Sequence, residues 1–184
     1  MPELSQHPAP RFGTCSWKYD SWRGIVYSDA PKLDYLAEYA RRFDCVEVDQ
    51  WFWSLFGPDQ LRLPSRELAA EYAAAVPKSF RFAVKMPNAL TLTHYHPKTK
   101  TEPLVPNPHF LSPDLLNRTL DALAPMREKL GPVMLQFGYL NRLMIESQGV
   151  FLERLASFAE ALPKDLDWFV EPRNPQWLNG AYFG

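Results

Sequence analysis

The residues best equipped for chemistry in this sequence stand at the ends of apolar runs. Glu47 and Asp49 alternate with Val46 and Val48, and Lys85 comes near the end of "FRFAVKM". Gln136 lies in "PVMLQFG", while Glu171 and Arg173 close "DWFVEPR". Two carboxylates beside a lysine and an arginine can hold a small polar ligand, phosphorylated or sugar-containing. One of them, Glu47 or Glu171, would then serve as general acid or base. Arg173 and Lys85 would clamp an anion and Gln136 would orient the ligand. The same set also suits a non-catalytic ligand-binding or scaffold protein, in which it is a salt-bridge and hydrogen-bond network filling a core, because charges turned inward must be paired.

Five apolar runs must position these residues: 12–17, 45–52, 80–86, 132–138 and 167–172. Segments of helical spacing separate them. Leu33, Leu36, Ala40 and Phe43 share one face, as do Leu68, Tyr72, Ala75 and Val76. A third helix is capped by Ser112, carries Pro113 in its first turn and ends at Gly131-Pro132. A fourth carries Phe151, Leu155, Phe158, Ala159 and Leu162 before Pro163. Strands alternating with helices predict an α/β fold with parallel strands, each helix being a crossover. Read with period two, the bulky aliphatic and aromatic positions belong against helices. Glu47, Asp49, Lys85, Gln136, Glu171 and Arg173 then face the other way, near the carboxyl ends of their strands. A polar ring there is where barrels of this kind place their chemistry. A stretch of roughly 25 residues, 87–111, exceeds an ordinary βα loop and reads as functional or mobile.

Length and composition narrow the field. At 184 residues and 46% hydrophobic content the chain suits one globular domain, with 1–10 as a flexible N-terminal segment and 11–184 as the folded part. A formal net charge of -1 leaves nucleic-acid processing or binding open but not favoured. That reading would rest on Arg23, Lys98 and Lys100 near aromatic rings. Two cysteines, Cys15 and Cys45, exclude a disulfide scaffold and point to a reducing, cytoplasmic setting. Neither a signal-type leader nor an apolar run of membrane-spanning length is present, so no membrane partner is expected. Gly-rich phosphate loops are absent, and no cofactor is expected.

Aromatic residues cluster after strand ends: Trp17, Tyr19, Trp22, Trp51, Phe52, Trp53 and Trp177. They could form a stacking wall for a sugar or base, or equally a hydrophobic lid. His94 and His96, with His109 further along, have metal-ligand spacing but no acidic or thiol neighbour, so no metal is expected.

Several of these segments together resemble the YecE-like family, number 72 among the domains of unknown function. They are "FGTCSWKYDSWRGIVY", "CVEVDQWFW", "FAVKMP" with the later Thr93-His94, "VMLQFGYL" and "VEPRNPQWL". The resemblance implies a (β/α) TIM-type barrel, incomplete here at about five βα units, because members of the family continue for several more. It implies candidate residues and no reaction. Glu47 and Glu171 are the catalytic candidates. Trp17, Tyr19, Trp22, Lys85, His94, Gln136, Arg173, Asn174 and Trp177 are the substrate-binding ones. Asn174 stands where the family often has histidine, which removes a proton carrier. A five-stranded piece would leave exposed sheet edges through which copies could self-associate.

Overall fold

The computed structural model describes residues 10–58, 60–97, 99 and 101–183. The segment expected to be flexible, 1–10, lies outside the described residues except for Pro10, and so do Lys98 and Lys100. Among the described residues four strands form one parallel sheet in sequential order: β1 (Cys45–Val48), β2 (Arg81–Lys85), β3 (Leu130–Phe137) and β4 (Trp168–Pro172). The sheet is open.

The helices between them are α1 (Tyr35–Tyr39), α2 (Arg66–Ala75), α3 (Pro113–Leu123) and α4 (Gln148–Ala159), with a short α5 (Gly180–Phe183) at the end. Each of the first four begins at a side chain able to accept an otherwise orphaned N–H. Asp34 accepts from Ala37, Ser65 from Leu68, Ser112 from Leu115 and Ser147 from Val150. At the other end of α2, the Lys129 ammonium donates to the carbonyls of Ala73 at 2.5 Å and Val76 at 2.6 Å.

Alternation along the strands decides the layering. Val46, Val48, Phe82, Val84, Val133, Leu135 and Phe137 are all within 1% of complete burial. These residues pack with α1 and α2 on the β1–β2 side, and with α3 and α4 on the β3–β4 side. Their neighbours Glu47, Ala83, Lys85, Met134 and Gln136 are only partly buried, on the opposite face. α1 to α4 therefore line one face of the sheet.

Several expectations need correction. The run 12–17 is not a strand. The Glu47 N–H donates to the Thr14 carbonyl at 2.9 Å, but the Thr14 N–H goes to the Tyr39 hydroxyl instead of a ladder partner. This strap lies very close to β1: a Cβ at Gly13 would sit 2.2 Å from the Cys45 carbonyl oxygen. The second run stops at Val48, because a turn closed by Phe52 N–H to Asp49 C=O begins there. Gly131-Pro132 does not end a helix but lies inside β3. The helix stops at Leu123, just before Pro125, which lacks the N–H that would continue it; a 3-10 stretch (Ala124–Lys129) follows. The fourth helix likewise ends at Ala159, short of Leu162. Much of the long stretch 87–111 is folded into the core. Ala89, Leu90, Phe110 and Leu111 are buried, and the Asn107 amide donates to the carbonyls of Ala89 (2.8 Å) and Leu92 (2.6 Å).

Candidate functional site

The face of the sheet turned away from the helices ends in two ion pairs. β1 aims Glu47 and β2 aims Lys85 to the same side, because both sit one residue out of phase with the buried valines. The Lys85 ammonium meets the Glu47 carboxylate at 2.8 Å, with about a quarter of each side chain exposed. Burial pulls the Lys85 pKa down. The hydrogen bond and charge of Glu47, helped by Asp49 and Glu171, more than reverse this, and the net shift is upward. Lys85 is thus a permanent cation at neutral pH, suited to holding charge and unsuited to nucleophilic attack.

At the other side of the cluster, the Arg173 guanidinium meets Glu171 at 2.6 Å, and both side chains are more open to solvent. Gln136 on β3 stands directly opposite Glu171 on β4. Its Oε1 atom is buried and has no hydrogen-bond partner. The Glu171 charge also helps to hold the Lys85 pKa up, although β3 lies between their two strands. Below it, the same face opens into a cavity of about 740 Å³ whose lining includes Thr14, Cys15, Cys45, Glu47 and Ala83. Both cysteines are free thiols, and burial is the main cause that pushes the Cys45 thiol pKa up.

Other candidate residues lie elsewhere. Asn174 is 1% exposed and clasps the loop after β3: its Oδ1 accepts from the Leu140 N–H and its Nδ2 donates to the Leu140 carbonyl, both at 2.8 Å. Trp177 packs against Phe151 of α4, ring centres 5.1 Å apart. Trp17 meets the edge of Tyr72 at 4.9 Å, and Trp51 stacks on the same ring at 5.8 Å. The expected wall is therefore divided, with Trp17, Trp51 and Trp177 in the core. Tyr19 and Trp22 remain together nearer the surface, 4.6 Å apart, and Trp53 is 63% exposed. His94 bonds the Thr93 hydroxyl through Nδ1 at 2.9 Å and lines a different cavity, of about 330 Å³, with Arg142, Glu146 and Arg154. Among the described residues no three of His, Cys, Asp or Glu gather closely enough to hold a metal ion.

Sequence reasoning missed a buried tie between two strand-end loops. Asn88 accepts three hydrogen bonds through Oδ1, from Ser54 N and Oγ at 3.0 Å and from Leu55 N at 3.2 Å. It thereby fixes the loop after β1 to the loop after β2. An Asn after a proline is an ordinary loop signal, and nothing local in the sequence distinguishes this one.

A family model described as "Protein of unknown function DUF72" matches residues 11–183. The chain is 24% identical over 170 residues to the UPF0759 protein YecE of Escherichia coli, in strain K12 and in O157:H7 alike, covering 90% of this chain and 49% of the relative. It is also similar to two crystal structures of a DUF72 family protein from Enterococcus faecalis V583. Their TM-scores are 0.60 and 0.57 at 23% and 22% identity, over 94% of this chain and 54% and 55% of theirs. The chain thus spans about half the length of the relatives it matches.

Proposed function

The chain belongs to the DUF72 family of proteins of unknown function, and from that footing we propose that it binds a small polar, phosphorylated or sugar-containing ligand at the carboxyl ends of its strands and acts on it by acid–base chemistry. The observation that carries this reading is that the Glu47–Lys85 and Glu171–Arg173 pairs both stand toward the carboxyl ends of strands of one parallel sheet. Glu171 or Glu47 carries the proton, Lys85 and Arg173 hold developing or fixed negative charge, and Gln136 orients the ligand.

The architecture proposed with it is one side of a TIM-type barrel. Parallel sheets are covered on both faces or closed into barrels, since their strands are built for burial. Here α1 to α4 lie on one face and the other carries polar side chains, as the inside of a barrel does at its catalytic end. A reducing, cytoplasmic setting suits the two free thiols. No described helix is long and apolar enough to cross a membrane. Nucleic-acid binding is the less supported alternative: Arg23 is held by Asp20 (3.2 Å) and the Ala30 carbonyl (2.8 Å).

A melting screen against inorganic phosphate, sugar phosphates, free sugars, nucleotides, short oligonucleotides and divalent metals tests the reading, because a ligand raises the midpoint by favouring the folded state. A dose-dependent rise that disappears in Arg173→Ala supports the site. A cooperative melt indifferent to every class removes it.

A further inference from the structure

A second concave site is built from residues that the strand-end ion pairs do not use. It is the cavity of about 330 Å³, whose lining comes from the loops after β2 and β3 and from α4. β2 and β3 are the two middle strands of the sheet, so neither sheet edge contributes to it. Hydrogen bonds within the protein shape its walls before any ligand arrives. Tyr95 N–H donates to the Val105 carbonyl and Asn107 N–H to the Thr93 carbonyl, each at 2.9 Å, and His94 is bridged to Pro106 between them. In the loop after β3, the Asn141 side chain accepts from Leu143 N–H at 2.8 Å and from Met144 N–H at 3.2 Å, closing the turn that carries Arg142. The Arg154 guanidinium lies 4.7 Å from the centre of the Phe110 ring. Phe110 is buried and meets Phe137 of β3 edge-on, so this arginine is seated on the core. Stacking occupies the face of a guanidinium and leaves its N–H edge to hydrogen-bond.

Among the described residues neither the Arg142 nor the Arg154 guanidinium makes an ion pair or a hydrogen bond, although Glu146 lines the same cavity. Two cations bordering so small a space repel one another, and an anion between them removes that cost. His94 supplies a further donor. With the Thr93 hydroxyl donating to its Nδ1 at 2.9 Å, the ring carries its proton on Nε2. One guanidinium fork is enough for a planar carboxylate. A tetrahedral phosphoryl group has oxygens for two forks and an imidazole N–H together.

We propose that this cavity binds the phosphoryl group of a small phosphorylated molecule, with Arg142 and Arg154 as clamps and His94 as an additional donor. The site is separate from the strand-end pairs and does not depend on them.

The Arg173→Ala variant, which disarms the strand-end site, provides the background, and a cooperative melt shows that it folds. Isothermal titration of this variant at low salt with inorganic phosphate and glycerol 3-phosphate, and with acetate and glycerol as controls, tests the inference. Both phosphates should bind, while acetate and glycerol should not. Adding Arg142→Gln or Arg154→Gln should weaken phosphate binding about tenfold or more, the loss expected for a charge-assisted hydrogen bond. Arg142 is exposed on its turn, so Arg142→Gln should melt with its parent, which separates loss of binding from loss of fold. Amide resonances that shift on adding phosphate should centre on His94 and Arg142. Phosphate binding that vanishes in Arg173→Ala alone overturns the inference and supports the strand-end site instead. Binding indifferent to both glutamine substitutions, or matched by acetate, overturns it as well. Silence toward both phosphates in parent and variant also overturns it, and leaves the strand-end site to be judged by its response to free sugars.

Discussion

Breaking the Glu47–Lys85 pair tests whether the cluster is held by charge. At 2.8 Å and an effective dielectric of about 20, two unit charges attract by about 6 kcal/mol. Desolvating both ends returns most of that, and the quarter exposure of each side chain lets water screen part of the rest. A net coupling of about 1–2 kcal/mol is expected, between the exposed and fully buried limits. Lys85→Met should cost more, about 2–3 kcal/mol, because it leaves Glu47, Asp49 and Glu171 facing one another. Glu47→Gln should cost about 1 kcal/mol, since Asp49 and Glu171 still face the ammonium and the amide can still accept from it. Urea unfolding of both single variants and the double variant closes the cycle. The pKa of Lys85 is raised in the folded state, so its stabilisation is complete below the ordinary lysine value of 10.5 and is lost as pH rises through the higher folded value. The coupling should therefore be equal at pH 7 and pH 9. A coupling within error of zero, or one that halves between those pH values, refutes the reasoning.

Three further outcomes are expected. Asn174→Ala orphans the buried N–H and carbonyl of Leu140 and should cost about 2–4 kcal/mol, read as a melting point lower by about 4–16 °C; an unchanged midpoint would mean the clasp is not made. Asn88→Ala removes the acceptor of three donors and should speed amide exchange at Ser54 and Leu55 before it affects β3 or β4, visible by hydrogen exchange. The Arg127 guanidinium, bonding both carboxylate oxygens of Asp165 at 2.7 and 2.8 Å, lowers the pKa of Asp165. Its contribution is present above pH 3.8 and lost as pH falls through the depressed value, so Asp165→Asn should flatten the acid limb of stability. Parallel acid limbs in variant and parent would contradict that.

The polar cluster could be located in the sequence because the cue was local. Val46 and Val48, Phe82 and Val84, Leu135 and Phe137 announce a buried face, and period two places Glu47, Lys85 and Gln136 on the other. The first run misled for a reason that no local pattern records: "FGTCSW" has the look of a strand, but the Thr14 N–H is taken by Tyr39, 25 residues away. Aromatic residues were harder still. Trp17 and Trp51 have the same composition-level signature as a stacking wall, and only the arrival of Tyr72 from α2 turns them into core. Asn174 reads as a site residue by its neighbours Glu171 and Arg173, yet 3-10 geometry at Pro175–Trp177 swings it toward Leu140. His94 follows Lys85 by nine positions, and the folding of 87–111 into the core carries it to a separate cavity.

Helices on a single face of the sheet give neighbouring codons in β1, β2 and β3 opposite tolerances. Volume governs the helix-facing positions, where Val84 or Leu135 can change only to a similarly shaped aliphatic. Electrostatics governs the alternate positions, where polarity can change freely so long as charge is matched. A saturation library of these three strands, sorted for folding alone, should return a comb of accepted and rejected residues with a spacing of two. Sorted for ligand retention, the teeth at Glu47, Lys85 and Gln136 should close as well.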